Sequence, residues 1–76
     1  MSRESKMAWH RIIKMTPKDN FYFHFTIESH ENLGLISTIE KKDGFLILDC
    51  FTTIESSSDF DRVIESVLRE IKKQHE

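Results

Sequence analysis

Asp43-Gly44 stands between two runs of strand-forming residues, "LGLISTIEK" before it and "GFLILDCFTTI" from Gly44 onward. No other feature of the chain narrows its fold as much. Asp-Gly readily adopts the left-handed backbone that a two-residue hairpin turn requires, and the twist of that turn matches the twist of its strands. The second run carries Phe45, Ile47 and Phe51 on one face and Leu46, Leu48 and Cys50 on the other. A strand that is apolar on both faces belongs in the middle of a sheet or beneath a partner. Asp49 interrupts one of those faces.

The pattern changes period after the hairpin. Phe60, Val63, Ile64, Val67, Leu68 and Ile71 recur at spacings of three and four, which is one stripe of an amphipathic helix. Asp59 and Asp61 at its start and Lys72 and Lys73 at its end complement the helix dipole. Ser58 with Asp61 three residues later reads as a capping box, and Glu65 with Arg69 as an i,i+4 pair on the wet face. Toward the N-terminus, "AWHRIIKM" reads as a strand, with bulk from Trp9, Ile12, Ile13 and Met15.

The segment Asn20 to Gly34, "NFYFHFTIESHENLG", is ambiguous. Phe21, Phe23, Phe25 and Ile27 alternate with Tyr22, His24, Thr26 and Glu28, which is the period of a strand. That reading gives a four-stranded antiparallel meander closed by one C-terminal helix. The preceding "TPKD" points the other way: Thr16 can cap a helix whose first residue is Pro17, with Asp19 at the capping-box position. The same four residues are also turn chemistry.

The stretch "ESHENLGLISTIEKKDGFLIL" bears on the choice. Glu28 stands as an acid at a helix end, His30 stands where a tyrosine is usual, and Glu31-Asn32 replaces an Asp-Gly-like pair. Ser37-Thr38 takes a small-Thr position, and Gly44 takes the turn glycine. On these positions, from Thr16 to Leu48, the chain resembles a family of small bacterial domains of unknown function. The resemblance implies a β-α-β-β-α order. That is an α+β fold, an antiparallel hairpin plus an N-terminal strand with both helices on one face, like a ferredoxin-like or ACT-like unit lacking its last strand. Asn32 and Gly34 would then stop the first helix. Residues 1–7 are expected to be a flexible leader and residues 8–76 a single domain.

Length sets the next limit. At 76 residues the chain buries only about 60% of its unfolded surface, so its core is marginal. Small domains often add disulfides, a metal or a second subunit. Cys50 is the single cysteine and closes no internal bridge, which suits a reducing, cytoplasmic setting. No apolar run reaches the roughly 20 residues of a membrane span, and no signal-peptide core is visible. Lys and Arg number 11 against 13 acids, a net charge of −2, too balanced for a strongly electrostatic nucleic-acid binder.

Candidate sites are few. On a helix, His24, Glu28 and Glu31 could present one imidazole and two carboxylates to a metal, which would make a metal-dependent enzyme one alternative. Their spacing reproduces no zinc signature, and a solvated helix face explains the same residues. His10, His30 and His75 read as surface groups. Cys50, inside an apolar strand, reads as a small core residue rather than a nucleophile. With two glycines there is no phosphate loop. Trp9, Arg11 and Phe45 could stack and hold bases on a sheet face, giving a nucleic-acid-binding sheet domain as a second alternative, although Asp49 lies in that face.

No catalytic residue, cofactor or metal is therefore expected. The stronger expectation is a partner. Both strand faces are apolar, and two helices can cover only one. The uncovered face is expected to be an interface, with Trp9, Ile13, Leu35, Ile39 and Ile47 as its candidate residues. A three-stranded sheet also keeps unpaired edges that invite strand addition. The expected protein is a non-catalytic homodimer or a small binding or regulatory module, with a protein partner or a small ligand at the subunit interface.

Overall fold

The structure is a computed structural model that describes residues 8–30 and 33–75. The order is β1 (Trp9–Met15), α1 (Pro17–Glu28), β2 (Leu35–Lys42), β3 (Phe45–Thr52) and α2 (Ser57–Gln74). The three strands form one antiparallel sheet in the order β1-β3-β2. This is the β-α-β-β-α fold that the resemblance implies, and β3, the strand with two apolar faces, is central. The expected leader, residues 1–7, lies outside the described residues, as do Glu31 and Asn32.

The segment that alternates like a strand is a helix, which overturns the four-stranded meander. Local chemistry starts it: the Thr16 side chain accepts from the Asp19 N–H at 3.3 Å, and Pro17 sits in the first turn. Packing then splits the alternating set. Two residues are 200° apart on a helix, so Phe23 and Ile27 point into the core while Phe21 and Phe25 point out. The alternation was therefore real but belonged to two opposite helical faces. Ser29 caps the end, its hydroxyl donating to the Thr26 carbonyl at 2.7 Å.

The hairpin turn is as expected. Asp43 and Gly44 have φ of 54° and 81°, and Lys42 pairs with Phe45 across them. Further back, the register shifts between Thr38 and Glu40, so Ile39 is the extra residue of a β-bulge.

The core lies between the sheet and the two helices. Leu46, Leu48, Cys50 and Thr52 of β3 are buried, with Met15 beside them. From the helices come Phe23 and Ile27 of α1 and Phe60, Ile64, Val67 and Ile71 of α2. Phe60 is fully buried and meets Trp9 edge-on, ring centres 6.1 Å apart at 74°. The buried Thr52 hydroxyl donates to the Leu33 carbonyl, which holds the segment before β2 against β3.

Two details of α2 depart from expectation. Its N-cap is Ser56, without a side-chain cap hydrogen bond, so Ser58 lies inside the first turn rather than capping it. Asp61 and Glu65 do not form the expected cap and i,i+4 pair. Both turn to Arg11 on β1, Asp61 at 2.6 Å. Burial pulls the Arg11 guanidinium down, but hydrogen bonds to Glu65 and Asp61 outweigh it and hold its pKa above the ordinary value. A sheet cation close beneath the helix thus redirected carboxylates that local spacing assigned to their own helix. At the other end of α2, His75 pairs with Asp19 of α1 at 2.9 Å.

Cys50 is buried in the middle of this core. Burial, together with the charge of Asp49, pushes its thiol up from 9.0 to about 12, against a smaller opposing pull from Arg11. Below pH 9 it is a thiol in both folded and unfolded chains; between pH 9 and 12 only the unfolded chain ionises, so stability falls as pH rises through that window. We expect Cys50 to react with a disulfide reagent at pH 8 at least about a hundredfold more slowly in the native chain than in denaturant. Equal rates would remove Cys50 from the core.

Candidate interaction face

Strand parity decides what the helices leave uncovered. Pairing places Trp9 opposite Thr52, Arg11 opposite Cys50, Ile13 opposite Leu48 and Met15 opposite Leu46, all on the helix side. The residues between them therefore lie on the other face. There β1 contributes His10, Ile12 and Lys14, β3 contributes Phe45, Ile47, Asp49 and Phe51, and β2 contributes Leu35, Ser37, Glu40 and Lys42.

The face is apolar with a polar frame. Ile12 is 58% exposed, Leu35 53% and Phe45 39%, large values for side chains of this kind on a sheet. Ile47 and Phe51 are half-buried by their neighbours. The Lys14 ammonium sits 4.6 Å above the Phe45 ring, at the hairpin end. At the opposite end the His10 ring stacks on Phe51 with centres 5.7 Å apart. His10 Nδ1 also lies 3.1 Å from both carboxylate oxygens of Asp49. The acid that interrupts the face in the sequence is thus matched by an imidazole on the neighbouring strand.

The five expected interface residues do not share this face. Leu35 and Ile47 lie on it, and Ile39 stands exposed at the bulge in β2. Trp9 and Ile13 turn to the helix side and pack against the core. The register across β1, which only the tertiary structure supplies, reverses the choice: Ile12 is outward and Ile13 inward. Ile12 and His10 are the members of the face missed by the sequence reading, which set Phe51 on a face with Ile47 and placed Asp49 in the open face without naming either as an interface residue. The alternation of His10, Ile12 and Lys14 against Trp9, Ile13 and Met15 was the available signal.

A family model described as a domain of unknown function, DUF4911, matches residues 13–74. The chain belongs to this family. No curated protein and no solved structure matches it. The DUF4911 match takes in the hairpin and both helices, and its first residue lies within β1.

The remaining candidate residues of this DUF4911 domain are dispersed. His24 Nδ1 and Glu28 are 3.8 Å apart on α1, while Glu31, the third member of the set, lies outside the described residues. Among the described residues, no three His, Cys, Asp or Glu side chains come together as a metal site. His30 is exposed. Of the stacking set, Phe45 is on the uncovered face, whereas Trp9 and Arg11 face the helices. Among the described residues no helix is long and apolar enough to cross a membrane.

Proposed function

We propose that this DUF4911 domain is a non-catalytic self-association module in which a second copy covers the sheet face opposite the helices. One observation carries the reading: Ile12, Leu35 and Phe45 stand exposed around Ile47 and Phe51 on one flat surface of a 76-residue chain. Contiguous apolar surface of this kind marks an interface, and a core this small gains from a partner.

Its polar frame favours a copy of itself over a polyanion. Lys14 and Lys42 lie toward the hairpin end, and Asp49 lies toward the opposite end. With Glu40 opposite Ile47 on the same face and Asp49 held by His10, the frame carries both signs, which a second copy can match and a polyanion cannot. The chain's net charge of −2 agrees with such a partner and not with RNA or DNA. On this reading the domain acts as a small binding or regulatory unit of ferredoxin-like character, with the vacant edge of β1 standing where a fourth strand would pair.

Light scattering on a sizing column tests it. A dimer is expected at high micromolar concentration, and Ile47→Lys, which places a charge at the centre of the face, should weaken association at least about a hundredfold. A wild-type monomer at those concentrations overturns the reading. Salt-dependent RNA binding centred on Phe45 and Phe51 would replace it with the nucleic-acid alternative.

A further inference from the structure

Asp49 is a carboxylate set among the apolar residues of the uncovered face. It lies between Ile47 and Phe51 on β3, opposite Ile12 of β1 and Ser37 of β2. A surface that covers Ile12, Ile47 and Phe51 therefore covers Asp49 as well. Enclosing an ionised carboxylate without a counter-charge is strongly unfavourable.

His10 supplies the answer. Its Nδ1 lies 3.1 Å from both carboxylate oxygens, and its ring stacks on Phe51. Toward a carboxylate Nδ1 acts as a donor, which it can do in the neutral ring or in the imidazolium. The two forms differ in the charge they leave. With a neutral ring the pair keeps a net negative charge; with an imidazolium it keeps none. In the single chain water reaches both groups, 50% of the His10 side chain and 21% of the Asp49 side chain being exposed. Beneath a second copy that water is displaced, and the pair without net charge is favoured. The other charges of this face, Lys14 on β1 and Glu40 and Lys42 on β2, lie toward the hairpin end. Ser37, the β2 residue opposite Asp49, is uncharged. Arg11, Asp61 and Glu65 are bound to one another on the helix side of the sheet.

Resting on the self-association reading above, we propose that covering the face takes up a proton at the His10–Asp49 pair of each copy, so that the second copy binds more tightly as pH falls. Charge fixes the direction. Imidazoles charge near pH 6.5, whereas carboxylates stay ionised down to about pH 4. The dimer binds more protons than two separate chains, so association strengthens from about pH 8 to about pH 6.

Sedimentation equilibrium of the full chain at constant ionic strength tests this across that range. The wild-type dissociation constant should fall at least about fivefold between pH 8 and pH 6. His10→Gln keeps a donor beside Asp49 but does not titrate, and its dissociation constant should stay within about twofold. This variant separates His10 from His24, His30 and His75, which stand on or beside the helices. Asp49→Asn removes the charge that needs compensation. It should associate at least about threefold more tightly than the wild type at pH 8 and gain nothing at pH 6, and it decides the matter if His10→Gln does not fold. Wild-type dimers with one dissociation constant at both pH values, or a pH dependence that survives in His10→Gln, overturn the proposal and leave the self-association reading in place. A wild-type monomer throughout the range overturns both.

Discussion

Phe60→Ala is expected to remove a large part of the chain's stability. Phe60 is fully buried at the point where α2, β1 and the segment before β2 meet. Truncating a buried phenylalanine costs about 3–5 kcal/mol, part from lost transfer of the ring out of water and part from the cavity left behind. A chain of 76 residues has roughly 4–11 kcal/mol of stability in total. The loss therefore takes about a quarter of that stability at the least and all of it at the worst. Phe25→Ala removes the same atoms from a side chain that is 72% exposed and should change stability by less than about 0.5 kcal/mol. Urea unfolding followed by circular dichroism measures both. Similar losses in the two variants would mean that the helix faces are assigned the wrong way round.

Gly34→Ala should also destabilise the chain, for the opposite reason. A Cβ at Gly34 would lie 2.5 Å from Cε2 of Phe60, 2.6 Å from Cζ and 2.7 Å from Cδ2. The ring cannot swing away, because Phe60 is enclosed by the core. Nor can the backbone retreat freely, because the neighbouring Leu33 carbonyl is tied to the buried Thr52 hydroxyl. Overpacking of this kind costs about 1–3 kcal/mol. Phe60→Leu removes Cε2 and Cζ, two of the three ring atoms that the new methyl meets. The double variant Gly34→Ala/Phe60→Leu should therefore lose less than the sum of the single losses, by at least about 0.5 kcal/mol. Strict additivity in the same unfolding assay would show that the two residues do not touch. Gly44 contrasts with Gly34: it has open space around it, and its requirement is the turn's φ of 81°.

Much of the fold was legible because its signals are local. Asp43-Gly44 encodes its turn through backbone preference, Thr16-Pro17 encodes a helix start, and the stripe from Phe60 to Ile71 encodes one buried helix face. Phe21 to Ile27 was misleading on period alone, because a spacing of two also fits two opposite faces of a helix when only Phe23 and Ile27 are buried. The helix-start signal and the resemblance outweighed the alternation, correctly. Asp61 and Glu65 show where local spacing fails. Arg11, more than forty residues away in the chain, offers them a better partner than their own helix does.

The uncovered face was legible as a necessity but not as a residue set. Two helices cannot cover both sides of a sheet whose central strand is apolar on both, so the sequence itself implied exposed apolar surface. Which side of β1 contributes to it depends on strand register, and a shift of one residue exchanges Ile12 for Ile13. The grouping of Pro17, Asn20, Thr38 and Leu46 was not legible at all, since α1 and the hairpin bring these residues together only in the folded chain.

From the sequence by itself came the hairpin turn, the C-terminal helix and the central place of β3, while the helix after Thr16, and with it the order of elements, rested on the resemblance as well. These depend on backbone propensity and periodicity, which act over one or two turns of chain. Only the tertiary structure decided that Ile12 faces outward, that Asp49 meets His10, that Arg11 gathers Asp61 and Glu65, and that Gly34 lies against Phe60. Each of those is a contact between distant segments, and its partner is fixed by how the sheet pairs and how the helices cross it.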